Sequence, residues 1–125
     1  MIIGVGLDVV AVERVERSLQ HDGAAFAERV FTAAERRDCE GRADRARALA
    51  ARFAAKEAFF KALGTGWGGA LSLQQVEVRA GPGGKPELLL SGAAAAQVAA
   101  LAVRNVHVSL SHELAYGAAV VILEG

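Results

Sequence analysis

The spacing of apolar positions changes repeatedly along the chain and divides it into short elements. Residues 2–7 form a continuous, β-branched apolar run, which predicts a buried strand ending at Asp8. From Val12 the spacing lengthens. Val12, Val15 and Leu19 share one helical face among Glu13, Arg14, Glu16 and Arg17, and Gly23 stops that helix. A second short helix is expected over Ala24–Val30. Thr32 and Glu35 have the spacing of a capping box and open a third, ending near Gly41. The longest helix is predicted from about Asp44 to Leu63, with Leu49, Phe53, Phe60 and Leu63 as a narrow apolar stripe and Gly64 as its left-handed stop. After a glycine-rich loop at 64–69, Val76 and Val78 alternate with polar residues like a half-exposed strand. A turn at 81–85 leads to a second strand at 88–90. Ser91 is placed to cap an alanine-rich helix from Gly92 to about Val103. Val106, Val108 and Leu110 line one face of a strand. Residues 116–123, apolar on both faces, predict a central or interface strand. The order strand, helices, two strands, helix, two strands indicates a compact α+β domain with one long helix, spanning residues 1–125 without repeat or linker.

Composition narrows the function. In 125 residues, 53% are hydrophobic and 22% charged, enough for one core and too apolar for disorder. Fourteen Lys+Arg balance fourteen Asp+Glu, so no global field drives the chain onto nucleic acid or an acidic membrane. The apolar run at 92–103 is interrupted by Gln97 and too short to span a bilayer. Residues 1–8 lack the basic start of a signal peptide. The single cysteine, Cys39, excludes an internal disulfide and any cysteine-based zinc site, and reads as a tolerated thiol in a reducing cytoplasm.

Four features carry chemistry. Glu57 falls at the edge of the apolar stripe in mid-helix, where a carboxylate is costly to bury unless paired or bound to a metal. Asp8 ends an apolar strand. If helix and strand pack together, the two carboxylates can share Mg²⁺, which takes one or two carboxylates and leaves its other positions to water and phosphate. The competing readings are an ion pair from Glu57 to Lys61 at i+4, and Asp8 as a helix N-cap. Lys61 and the run Gly64, Thr65, Gly66 form the third feature, offering a cation and backbone donors to an anion. The fourth is the segment 107–113, in which His107, Ser109 and Ser111 share a face and His112 begins the next turn. A Ser111–His112 hydrolase dyad has no nucleophile elbow to support it. Neither a Walker A sequence nor a dinucleotide fingerprint is present.

Together these segments resemble one family closely: the small, single-domain 4′-phosphopantetheinyl transferases of the holo-[acyl-carrier-protein] synthase kind. The matching parts are residues 4–9, Phe31 and Thr32 with Glu35, Arg52 to Gly66, Val76 to Val78 with Gly84, Lys85 and Pro86, and His107 to His112 with the closing strand. They lie in order across nearly the whole chain. The resemblance implies transfer of the 4′-phosphopantetheine arm of coenzyme A to a serine of apo acyl carrier protein, with Mg²⁺ as cofactor. It also implies a cytoplasmic homotrimer with active sites at subunit interfaces. By this resemblance Asp8 and Glu57 are the metal ligands, and Glu57, Lys61 and His112 are catalytic. Arg52, Lys61, Gly64, Thr65, Gly66, Lys85, Pro86 and His112 meet coenzyme A. Arg14, with Arg17 on the same helical face, meets the acidic carrier. A metal-bound water oriented by Glu57 and His112 both remain candidates for the base. The alternative from a different class is a binding module for carrier protein or coenzyme A without catalysis.

Overall fold

The computed structural model describes all 125 residues, as five strands and five helices. β1 (Ile2–Ala11) runs directly into α1 (Val12–Asp22), followed by α2 (Ala24–Val30), α3 (Ala33–Cys39) and α4 (Arg45–Leu63). A 3-10 turn (Leu73–Gln75) leads into the hairpin of β2 (Val76–Ala80) and β3 (Pro86–Leu90), then α5 (Gly92–Ala100), β4 (Asn105–His112) and β5 (Tyr116–Glu124). The α+β class is as the pattern predicted. No helix is long and apolar enough to cross a membrane.

β1, β5 and β4 form an antiparallel sheet in that order, and β2 pairs separately with β3. The register sets Asp8 opposite Ala119, which on its other side pairs with Leu110, and Val10 opposite Gly117, which pairs with His112. Paired residues share a face, so Gly4, Gly6, Asp8 and Val10 point the same way as buried Val121 and Leu123, towards α4. The approach is nearly backbone to backbone. A Cβ on Gly6 would lie 1.8 Å from the Ala58 carbonyl oxygen, and one on Gly4 2.0 Å from that of Ala62. On its other side α4 meets α1, α3 and β2, around the rings of Phe26, Phe31 and Phe53, whose centroids lie 6.1–6.5 Å apart.

Several expectations change. β1 does not end at Asp8 but continues to Ala11, and only its helix-facing side is covered. Val5, Leu7 and Val9 on the other side are 55%, 61% and 58% exposed. The narrow stripe on α4 is instead burial almost all round, because alanines make both sheet and helices close neighbours: Ala48, Ala50, Ala51, Ala54, Ala55, Ala58 and Ala62 are all buried. Ser91 precedes α5 without a side-chain capping bond, and that helix stops at Ala100. The Thr32–Glu35 capping box forms as expected: Glu35 N–H donates to Thr32 Oγ1 at 3.3 Å and Thr32 N–H to Glu35 Oε1 at 2.9 Å.

Candidate active site

The glycine contact between β1 and α4 sets Asp8 beside the last turns of the helix. Lys61 crosses the junction, its Nζ donating to Asp8 Oδ1 at 2.9 Å and to the Leu7 carbonyl at 3.0 Å. Asp8's side chain is 15% exposed and Lys61's 56%, so the pair opens to solvent at one side. The i+4 ion pair from Glu57 to Lys61 is not made, since the ammonium is drawn to the strand instead. Nor is Asp8 a helix cap. It lies inside β1, three residues before that strand's last residue, Ala11. Glu57, half-buried one turn before Lys61, accepts at Oε1 from the indole Nε1 of Trp67 at 3.3 Å. Asp8 Oδ2 and Glu57 Oε2 have no hydrogen-bond partner in the chain.

The loop after α4 is anchored by its own amides. Gly64, left-handed at φ 78°, donates to the Lys61 carbonyl and Thr65 to the Phe60 carbonyl. Those two N–H groups therefore close the helix, which corrects the expectation that they face an anion. Of the three, only Gly66 N–H stays unengaged. Trp67 was the unpredicted neighbour: nothing in spacing alone ties a loop indole to a carboxylate ten residues earlier.

Arg52, Pro86 and His112 meet elsewhere, in a cavity of about 270 Å³ also lined by Arg42, Gly84 and Arg79. His112 is the last residue of β4, not the start of a turn. It faces α4, opposite Gly117, while Ser111 faces away. That removes the Ser111–His112 dyad. Arg42 is held by Asp44 at 2.8 and 2.9 Å, and that guanidinium keeps the Asp44 carboxyl below its ordinary range. Arg79 is 3.5 Å from Glu87. Arg52 donates Nη1 to the Ala48 carbonyl at 3.2 Å but leaves a buried Nε unpartnered. An arginine with an unmet buried donor suits an anion. Lys85 adjoins this cavity in sequence and makes no side-chain hydrogen bond or ion pair. Arg42 and Arg79 were missed because they belong to different elements that only the fold brings together.

Glu57 and Arg52 are five residues apart on α4, about 7.5 Å along the axis and roughly 140° around it. The carboxylate pair and the arginine cavity therefore open on different sides of the helix. Arg14 lines a third depression, a groove of about 520 Å³ between α1, α2 and the Trp67 loop, and lies over the Phe53 ring at 5.5 Å. Arg17 is exposed and 3.9 Å from Glu13.

Comparison with known proteins finds similarity over nearly the whole chain. The sequence profile of the 4′-phosphopantetheinyl transferase superfamily matches residues 4–117. A holo-[acyl-carrier-protein] synthase of Koribacter versatilis is 44% identical over 124 residues, covering 99% of each chain. Among solved structures, the holo-[acyl-carrier-protein] synthase of Neisseria meningitidis superposes with a TM-score of 0.91 at 36% identity, over 100% of both chains. That of Bacillus anthracis, in complex with CoA (3′,5′-ADP), superposes with a TM-score of 0.82 at 37% identity, over 100% of this chain and 98% of the other.

Proposed function

Since this chain belongs to the 4′-phosphopantetheinyl transferase superfamily, we propose that it transfers the 4′-phosphopantetheine arm of coenzyme A to a serine hydroxyl of apo acyl carrier protein, releasing adenosine 3′,5′-bisphosphate. The observation that carries this reading is the Asp8–Lys61 contact at the β1–α4 junction, with Glu57 one turn before Lys61 on the same helix. Phosphoryl transfer needs little covalent help from a protein. It needs a held substrate and compensation for negative charge.

The donor set suits Mg²⁺. Two carboxylates each keep one oxygen free, and no third His, Cys, Asp or Glu completes an all-protein cage. This is the arrangement of an ion that retains places for water and phosphate. Asp8 and Glu57 are the residues that would hold it, and it would supply positive charge to the pyrophosphate. Lys61 supplies a second positive charge on the open side. The Arg52–His112 cavity takes the anionic nucleotide end, where Arg52's unmet Nε–H finds an acceptor. A water oriented by Glu57, and His112, are the two candidates that accept the serine proton beside the reacting phosphate.

The partner follows from charge and position. Arg14 lines the groove that Trp67 also lines, and the Trp67 indole reaches Glu57, so an acidic carrier held there would bring its serine near. Arg17, on the same face, adds to the field that steers it. The enzyme works as a homotrimer. The apolar outer face of β1 needs a cover, and coenzyme A held at an interface would span one copy's carboxylates and its neighbour's arginine cavity. A cytoplasmic setting follows from a reaction fed by coenzyme A and from a lone buried thiol.

The test is mass spectrometry of apo acyl carrier protein incubated with coenzyme A, Mg²⁺ and the enzyme. The expected result is a carrier heavier by one phosphopantetheine arm, with stoichiometric adenosine bisphosphate. An unmodified carrier refutes transfer. Coenzyme A binding without release of the bisphosphate would mark a binding module instead.

A further inference from the structure

Glu35 and Lys56 are the charged residues that the fold buries completely, both at 0% exposure. Lys56 Nζ lies 2.6 Å from Glu35 Oε1 and donates to the carbonyls of Leu73 at 3.0 Å and Val76 at 2.7 Å. Those three partners use all three of its protons. Glu35 Oε2 accepts from Val78 N–H at 2.8 Å. Stability alone does not explain such a pair, because well-packed apolar replacements of buried ion pairs are often as stable or more so. What an apolar pair cannot do is grip carbonyls.

The two carbonyls bracket the 3-10 turn at the far end of the loop that leaves α4. The near end is fixed at Gly64 and Thr65. Both ends of residues 64–72 are thus fastened to one helix. Between them Trp67 returns its indole N–H to Glu57, the residue directly after Lys56. The circuit closes on itself: Lys56 to Leu73 and Val76, back along the loop to Trp67, and from Trp67 to Glu57.

We propose that Lys56, locked by Glu35, is a positioning residue: it fastens the loop so that Trp67 sets the orientation of the Glu57 carboxylate. The inference rests on the transferase reading for its kinetic consequence, not for its structural one. It makes the buried pair part of the enzyme's working geometry, although neither charge reaches the substrate.

Trp67 is the only tryptophan, so its emission reports the loop with no metal, coenzyme A or carrier present. The variant to make is Glu35→Leu/Lys56→Met, which removes both charges and buries neither alone. Its far-UV circular dichroism should match wild type. Trp67 emission should shift to the red, and acrylamide should quench it more. The kcat should fall about 10- to 100-fold, the scale of a misplaced catalytic group, with KM for coenzyme A unchanged. Trp67→Phe should lower kcat in the wild type yet add no further loss in the double variant, because the link is already cut. Unchanged emission and quenching in the folded double variant overturn the proposal. So do losses that simply multiply. Should that variant not fold, hydrogen exchange on wild type decides. The Gly68 and Leu71 amides, which bond to each other's carbonyls at 2.7 and 3.1 Å, should be protected with the Val78 amide. Free exchange in the loop beside a protected Val78 overturns the clamp. Emission and exchange use no substrate, so their failure is the clamp's, whereas a wild type that transfers nothing is the failure of the reading beneath it.

Discussion

Gly6→Ala should damage stability and catalysis together. The added Cβ would meet only backbone: the Ala58 carbonyl oxygen at 1.8 Å, the Ala62 nitrogen at 2.7 Å and the Ala58 carbonyl carbon at 2.8 Å. Ordinary contact begins at 3.4 Å, so strand and helix must separate by about 1.6 Å at this point. No rotamer change relieves that. Overpacking typically costs 1–3 kcal/mol, and a clash with backbone on both sides belongs at the upper end, about 3 kcal/mol. For a chain of this size that lowers Tm by about 10 °C. The same movement carries Asp8 away from Lys61, whose 2.9 Å contact does not survive it. A displacement near 1 Å at a reacting centre can cost about 100-fold in rate.

Gly81→Ala is the control. Its Cβ would also have a neighbour at 2.5 Å, but that neighbour is the end of the Glu87 side chain, which is flexible and half-exposed. Gly81 has φ −88°, open to any residue. Its substitution should lie within about 0.5 kcal/mol of wild type. Thermal unfolding followed by circular dichroism, and carrier modification followed by mass spectrometry, measure both variants. If Gly6→Ala unfolds within about 0.5 kcal/mol of wild type, the helix does not rest on the strand backbone as described. If it is destabilised yet fully active, the junction does not set the site.

Other consequences are simpler. Glu57→Gln should leave Tm within about 2 °C, since the side chain makes one indole bond, while Mg²⁺-dependent transfer is lost; a variant still active with Mg²⁺ removes Glu57 from the metal. Leu7→Lys on the exposed face of β1 should keep the monomer fold and convert the proposed trimer to monomers on sizing with light scattering, with loss of activity; a trimeric, active variant refutes the proposed interface. Cys39 is fully buried, and burial pushes its thiol pKa above 9.0. Native protein should therefore resist iodoacetamide at pH 8 and react fully in denaturant. Because the folded pKa is the raised one, the thiol's contribution is complete below pH 9.0 and lost as pH rises through the folded value. The stability gap between wild type and Cys39→Ala should narrow above that pH, and a gap constant to pH 11 would contradict the burial.

The fold was legible where one element's own residues decide it. The capping box at Thr32 and Glu35 and the stop at Gly64 are local chemistry, and both form. The breadth of burial on α4 was not legible, because alanine is a weak hydrophobic signal. Ala54, Ala55, Ala58 and Ala62 look neutral in a periodicity count. Opposite Gly4 and Gly6 they become the surface on which the sheet rests. β1 misled in the other direction. Its unbroken apolar run reads as burial on both sides, yet one side is exposed in the isolated chain. That exposed side is the one the proposed trimer would cover.

The site divides in the same way. Asp8 and Glu57 could be nominated because each interrupts an apolar pattern, and Lys61 because it follows Glu57 by one turn. Yet the pairing among them was misjudged: a helix can predict Glu57 with Lys61, and only the sheet behind it supplies the better partner, Asp8. Lys56 interrupts the pattern more severely than Glu57 does. Its neighbours at i−3, i+3 and i+4 are Phe53, Phe59 and Phe60, so it points deeper into the core than the carboxylate beside it. Burial pushes its ammonium below the ordinary lysine range, with Glu35 opposing that shift. A lysine so placed is kept at a cost unless its protons hold something no apolar side chain can hold. Here they hold the carbonyls of Leu73 and Val76, next to the loop that carries Trp67. On the proposed mechanism, adjacent charges on one helix divide the work, with Glu57 facing the chemistry and Lys56 facing the frame that aims it.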